Sequence, residues 1–252
     1  MIDKKRVLVV IPARMGGYRY PDKPLRKLNG MAMIEWVYKH ASKSKYADKV
    51  VISTPDDSII EFCKDRNLDF DKTSASHRRG TERVNETFKN LGSNYEVIVN
   101  FQGDEPLVLA DDLDRAIECL IAEEDIACVN LFKMMSYTES EIDQNEVKVV
   151  TDVNNNALYF SRNPLPAKWL GDKTFECKVE ICVMPMTNES LTRFVNLPNC
   201  YYEEIESVDM LRFVENGLKV RMLETKAEIK SVDCEEDRVE AERMLIKQYG
   251  VL

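Results

Sequence analysis

Val7-Leu8-Val9-Val10-Ile11-Pro12-Ala13-Arg14-Met15-Gly16-Gly17-Tyr18-Arg19-Tyr20-Pro21-Asp22-Lys23-Pro24-Leu25 joins an apolar run to a basic, glycine-containing loop. The run from Val7 to Ile11 does not alternate polar with apolar side chains, so it predicts a strand covered on both faces. Between positions 14 and 27, Arg14, Arg19, Lys23, Arg26 and Lys27 stand against Asp22, a local charge of +4. Gly16 and Gly17 permit close backbone approach and leave N–H groups for phosphate oxygens, so the loop is a candidate phosphate cradle. It matches neither the Gly-x-x-x-x-Gly-Lys-Ser/Thr loop nor Gly-x-Gly-x-x-Gly. A basic surface loop after a strand is the competing reading.

Outward from this segment the pattern repeats. Helical spacing over 31–46 leads to an apolar run at 50–53, helical spacing at 56–67 and 82–91, a second run at 96–100 and a helix over 111–124. Strand, helix, strand with unbroken apolar strands predicts a doubly wound, mostly parallel α/β sheet, in which ligands bind at the carboxyl ends of strands. From about 125 to 200 the signal changes to short β-like runs (126–133, 147–152, 157–162, 178–184), which predict a small antiparallel lobe on a single domain spanning 1–252. Helix (203–216), strand (219–223) and helix (235–248) then return, and the last strand is expected to rejoin the main sheet.

Composition narrows the function. The 252 residues are 44% hydrophobic and 31% charged, the balance of a chain that buries a core, and the net charge of −9 argues against broad nucleic-acid binding. Only six apolar residues precede Arg14 after the opening charges, too few for a signal-peptide core or a membrane span, so a cytoplasmic location with no membrane partner is expected. Seven cysteines without a Cys-x-x-Cys pair read as reduced, buried residues. His40 and His77 are too few to build a histidine-rich metal site.

Three further constellations carry chemistry. Gln102-Gly103-Asp104-Glu105-Pro106 follows the 96–101 run, and a carboxylate at a strand's carboxyl end suits Mg²⁺ carrying phosphate oxygens. A polar turn is the alternative for 102–106; Asp233 in Ser231-Val232-Asp233 follows another short apolar segment and predicts a second metal-gripping acid opposite Asp104, with a chance pair among the chain's 44 acids as the alternative. His77-Arg78-Arg79-Gly80-Thr81-Glu82-Arg83 opens a helix, with Thr81 as its expected N-cap and Gly80 as the turn before it. Arg162, in Tyr159-Phe160-Ser161-Arg162-Asn163-Pro164, ends a β-like run before a proline-bounded loop and is placed to meet an anion or a salt-bridge partner.

Taken in order, these motifs resemble the cytidylyltransferases that make CMP-activated ulosonic acids, the CMP-Kdo synthetase (3-deoxy-manno-octulosonate cytidylyltransferase) family. That family's patterns look like Ile-Pro-Ala-Arg-x-Gly-x-x-Arg-x-Pro-x-Lys-Pro-Leu, Gly-Thr-Asp-Arg, Gln-Gly-Asp-Glu-Pro, Tyr-Phe-Ser-Arg-x-x-Ile-Pro, Ile-Glu-Ser-Leu-x-x-Leu-Arg and Val-Asp-Thr-Pro-Glu-Asp. This chain has 11–25, 80–83, 102–106, 159–166, 205–212 and 232–237 in their places. The resemblance spans essentially the whole chain. It implies a nucleotidyltransferase-like fold, a homodimer, CTP with Mg²⁺, an acidic small-molecule acceptor, and a place in lipopolysaccharide or capsule synthesis. Position by position it implies that Arg14, Gly16, Gly17, Arg19 and Lys23 bind the CTP phosphates, and that Gln102 and Arg83 help hold the cytidine. Asp104 and Asp233 would hold magnesium, with Arg162 and Glu206 on the acceptor side.

The departures from the family pattern fall mostly on the acceptor side. Glu82 replaces the Asp of Gly-Thr-Asp-Arg, and Arg79 stands where Ser is usual. Alignment back from Arg193-Phe194-Val195 puts Glu180 at an expected His and Met184 at an expected Tyr, and Glu204 stands at the Gln of a Gln-Ile-Glu-Ser pattern. The expectation is therefore a CTP-dependent enzyme whose acceptor is Kdo-like, an amino-substituted ulosonic acid whose ammonium would pair with Glu180 or Glu204 being one candidate. A phosphonate or other small acid is the alternative acceptor, and a catalytically silent nucleotide binder is the alternative class.

Overall fold

Along Val7–Pro12 (β1) successive side chains enter opposite cores: Val7, Val9 and Ile11 pack on one face of the sheet, Leu8 and Val10 on the other. A strand so placed has no face left for polar residues, which is why the run reads as continuous. The computed structural model describes residues 5–16, 20–138, 143–167, 169 and 175–251.

A short 3₁₀ turn at Lys23–Leu25 and a small hairpin of Lys27–Leu28 (β2) and Met31–Ala32 (β3) lead from β1 to Met33–Ala41 (α1). Ala47–Thr54 (β4), Asp57–Asp65 (α2), Phe70–Lys72 (β5), Gly80–Asn90 (α3), Val97–Phe101 (β6) and Ala110–Ala122 (α4) complete the first half. Cys128–Ser136 (β7), Lys148–Thr151 (β8), Ala157–Ser161 (β9), Glu176–Ile181 (β10) and Val183–Thr187 (β11) follow. Asn188–Asn196 (α5), Tyr201–Glu206 (α6), Met210–Glu215 (α7), Val220–Glu224 (β12) and Glu235–Tyr249 (α8) end the chain.

The strands form one ten-stranded sheet in the order β5-β4-β1-β6-β11-β7-β10-β8-β9, with β12 also paired to β7. β5, β4, β1 and β6 run parallel, in register Val9↔Val50 and Val9↔Val99. The chain leaves β1 toward β4 and β5, then returns to place β6 on the other side of β1, so a crevice opens at the carboxyl ends of β1 and β6. The antiparallel strands from 128 to 187 continue this sheet, and β12 rejoins it parallel to β7.

The helices cover both faces. Trp36 and Val37 of α1, Ile59 of α2, Leu113 and Ile117 of α4 and Leu245 of α8 fill one core. Val84 and Phe88 of α3, Phe194 of α5 and Phe213 of α7 fill the other.

Three local expectations change, each where the chain meets the crevice. The run 178–184 is two strands, because the peptide at Cys182 is claimed by the turn after β6: Gln102 N–H donates to its carbonyl (3.1 Å), and its own N–H donates to Glu105 Oε1 (3.1 Å). The helix expected over 203–216 is broken at Ser207, which adopts a left-handed conformation (φ 55°, ψ 49°), leaving α6 and α7. Segment 231–233 makes no strand ladder and instead runs into α8, held by Val232 N–H on Asp104 O (3.0 Å).

Candidate active site

A cleft of about 450 Å³ lies over the carboxyl ends of β1 and β6 and is walled by the start of α3. A smaller chamber of about 130 Å³ adjoins it, sharing Gln102, Asp104, Arg162, Asp209 and Asp233. The two volumes meet at the acids, as a nucleotide site and an acceptor site would.

Lys23 sits at that junction. The 3₁₀ turn delivers it, with Asp22 before the turn in the left-handed region (φ 58°). Its Nζ lies 2.7 Å from Asp104 Oδ2 and 3.1 Å from Asp233 Oδ1. Burial works against the ammonium charge, but the two carboxylates outweigh it and hold the lysine above its ordinary pKa. The Val232–Asp104 backbone bond ties the two acid-bearing loops together, so their spacing belongs to the fold.

Two carboxylates converging on one cation from separate loops suit Mg²⁺, which is commonly held by one or two carboxylates with phosphate oxygens and water supplying the rest. Among the described residues no cluster of three or more His, Cys, Asp or Glu side chains forms a self-sufficient metal cage.

The far side of the cleft is cationic. Arg14, exposed after β1, and Arg83, on the first turn of α3, both line it. Arg83 is 4% exposed and donates to Thr73 Oγ1 (2.8 Å) and Ser74 O (3.0 Å); burial, then the neighbouring Arg14, lowers its pKa. Among the described residues neither guanidinium lies within ion-pair distance of a carboxylate. Gly16 is described and open to solvent on its Cβ side, whereas Gly17 and Arg19 lie outside the described residues.

Gly103 serves a close approach. A Cβ added there would stand 3.2 Å from Pro12 O, where the end of β1 passes the turn carrying Asp104. Gly103→Ala is expected to push that turn aside and lower kcat roughly tenfold with little loss of stability, because small misplacements at a reacting centre are costly. Unchanged kcat in the purified variant would mean that the turn accommodates the methyl group.

Glu105, singled out by no chemical argument from sequence, is 2% exposed and binds both loops: it accepts from Cys182 N–H (3.1 Å) and from Ser231 Oγ (2.9 Å). Its pKa is raised by burial and by Asp104. Asp209 was also missed. The break between α6 and α7 turns it into both chambers, where it accepts from Thr81 Oγ1 (2.7 Å) and Thr81 N–H (3.2 Å). Thr81 is therefore not the N-cap of α3. Glu82 performs the capping, accepting from the N–H groups of Arg78 (3.1 Å) and Arg79 (3.3 Å).

Arg162 lines both chambers; Glu206 does not line them but holds Arg162. The Glu206 carboxylate accepts from Ser161 Oγ (2.8 Å) and Arg162 N–H (2.8 Å), and its carbonyl accepts from Arg162 Nε (2.8 Å). Glu180 lines the smaller chamber at 7% exposure. Glu204 is not brought to either chamber: it lies on α6, half-exposed, paired with Arg78 Nη2 at 2.8 Å. Arg79 is spent on the fold, donating to Ser207 Oγ (2.8 Å) and Glu203 O (2.9 Å). His77 lines the large cleft and is hydrogen-bonded to Glu86.

With this geometry in hand, comparison with known proteins gives a consistent answer. The cytidylyltransferase family model matches residues 8–225. The 3-deoxy-manno-octulosonate cytidylyltransferase of Pelobacter propionicus is 34% identical, over 93% of this chain and 95% of the relative. That of Thermodesulfovibrio yellowstonii is 35% identical, over 94% and 97%. Among solved structures, CMP:2-keto-3-deoxy-manno-octonic acid synthetase in complex with CTP superposes with a TM-score of 0.86 at 26% identity, covering 96% of this chain and 99% of that one. A cytidylyltransferase from Leptospira borgpetersenii shares the fold at 16% identity, with a TM-score of 0.63 over 97% of this chain and 94% of that one.

Proposed function

The chain belongs to the cytidylyltransferase family, and from that premise we propose that it activates a Kdo-like ulosonic acid as its CMP derivative, releasing pyrophosphate from CTP. One observation carries the reading: Lys23 bridges Asp104 and Asp233 across a cleft from two guanidiniums, Arg14 and Arg83, that lack carboxylate partners among the described residues. Such an array has a place for a polyphosphate and a place where charge builds up during transfer.

In this reading the acceptor hydroxyl attacks the α-phosphorus and the bond to pyrophosphate breaks. The transfer needs alignment and charge neutralisation rather than a covalent nucleophile. Arg14 holds the triphosphate, Arg83 and Gln102 meet the cytidine, and Lys23 balances the charge on the transferred phosphoryl group. Arg162, oriented by Glu206, meets the acceptor's carboxylate. Asp104 and Asp233 would hold Mg²⁺, which would supply positive charge to neutralise the phosphates.

The acid-rich smaller chamber makes a phosphonate dianion a poor occupant and leaves an amino-substituted ulosonic acid as the acceptor it suits best. We place the enzyme in the cytoplasm, a setting that agrees with seven free cysteines; no helix among the described residues is long and apolar enough to cross a membrane. The homodimer rests on the family resemblance.

Nucleotide choice is the direct check. With Mg²⁺ present, CTP should raise the thermal midpoint more than ATP, GTP or UTP, since a ligand at about 100 times its Kd adds about 2.7 kcal/mol to native-state stability. A larger shift with a purine triphosphate contradicts the proposal.

A further inference from the structure

Six carboxyl groups line the smaller chamber, against one cation among the described residues that line it, Arg162. Four of the six are engaged. Asp104 and Asp233 hold Lys23, Glu105 accepts from Ser231 and from Cys182 N–H, and Glu146 pairs with Lys133 (2.9 Å) and Lys230 (3.3 Å). Glu180 and Asp209 keep spare capacity.

Glu180 is more than nine-tenths buried, yet only Oε1 has a donor, the amide of Asn130 at 2.6 Å. Asn130 cannot turn, because its own oxygen accepts from Leu131 N–H (2.9 Å) and Val183 N–H (3.3 Å). No donor among the described residues meets Oε2, which belongs to a side chain lining the chamber. Asp209 has Thr81 on one oxygen, while its other oxygen is a long 3.9 Å from Arg79 Nε.

We infer that Glu180 and Asp209 form the seat of an ammonium group on the acceptor, with Glu180 the residue that sets acceptor specificity. The inference rests on the reading of the cleft as a ulosonic-acid cytidylyltransferase site. An ammonium brings three donors and a charge to two under-satisfied acids, whereas a hydroxyl brings one neutral donor. Burial, with the charge of Asp209 added, raises the Glu180 carboxyl to about 8, so that near neutral pH a cationic partner is needed to offset the cost of its charge.

The experiment compares kcat/KM for Kdo and for Kdo analogues that each carry an amine in place of one hydroxyl other than the reacting one, each with CTP and Mg²⁺, by pyrophosphate release. Wild type should favour the best of these amines by about ten- to hundred-fold, the range of a charged hydrogen bond. E180Q should remove most of that preference through the KM for that amine, with the KM for CTP unmoved, and E180H should shift the ranking further toward Kdo. Equal or better use of Kdo by wild type, a ranking that needs no folded variant, overturns the inference while leaving the cytidylyltransferase reading intact. A preference that survives in folded E180Q also overturns it. If none of these acids releases pyrophosphate, the ulosonic-acid reading fails and the seat falls with it.

Discussion

Asp104→Asn is expected to lower turnover by about 10²–10³ at saturating CTP while leaving the fold unchanged, the scale seen when one preorganised electrostatic group is removed from a reacting centre. The substitution keeps the shape of the side chain but removes the carboxylate 2.7 Å from Lys23 Nζ and one of the two acids that suit the metal. Asp104 is a quarter exposed, and its turn is held by Val232 N–H on its own backbone carbonyl, which Asn retains. The loss should therefore appear in kcat rather than in the unfolding midpoint. Asp233→Asn should act the same way, since its carboxylate is 3.1 Å from the same ammonium. Near-wild-type turnover in both variants would place the chemistry away from Lys23.

The largest effect on stability should come from Arg212→Met. Arg212 is 2% exposed and clasps Glu203, itself fully buried, through Nε (2.7 Å) and Nη2 (2.6 Å), with Asn199 Oδ1 at 3.0 Å. Removing the arginine leaves the buried Glu203 carboxylate with only the longer contacts of Arg79 Nε (3.4 Å) and Cys200 N–H (3.3 Å), and breaking a buried pair costs about 3–5 kcal/mol. For a chain of this length that corresponds to a fall of about 6–20 °C in the thermal midpoint. The same pair holds the segment from α6 to Asp209, because Glu203 O also receives Arg79 Nη2. Urea unfolding of the variant checks the figure; a loss below about 1 kcal/mol would mean that the surroundings absorb the charge.

What the sequence made legible follows from where the information lies. The strands β1, β4 and β6 could be read because burial on both faces leaves little room for polar residues. The structure brings Asp104 and Asp233 together on Lys23, with 231–233 in no strand ladder and the two loops tied by the backbone hydrogen bond from Val232 to Asp104. Cys182 was invisible as a strand break because its local residues all favour extended chain, and only the distant turn at 102–105 claims its peptide. Asp209 was hidden for a similar reason, in a helical pattern interrupted by contacts from Arg79 and Thr81. Glu180 and Glu204 looked alike in sequence. One lies on an interior strand facing a chamber and the other on an exposed helix beside Arg78, a difference only the fold supplies.

The most direct measurement is product analysis after incubation of the purified protein with CTP, Mg²⁺ and either Kdo or one of its amine-bearing analogues. The account predicts one pyrophosphate released for each CMP-linked ulosonic acid formed from at least one of the two acids, and none without acceptor. CTP left intact with both acids, while a phosphonate or another class of acceptor is turned over, would contradict it.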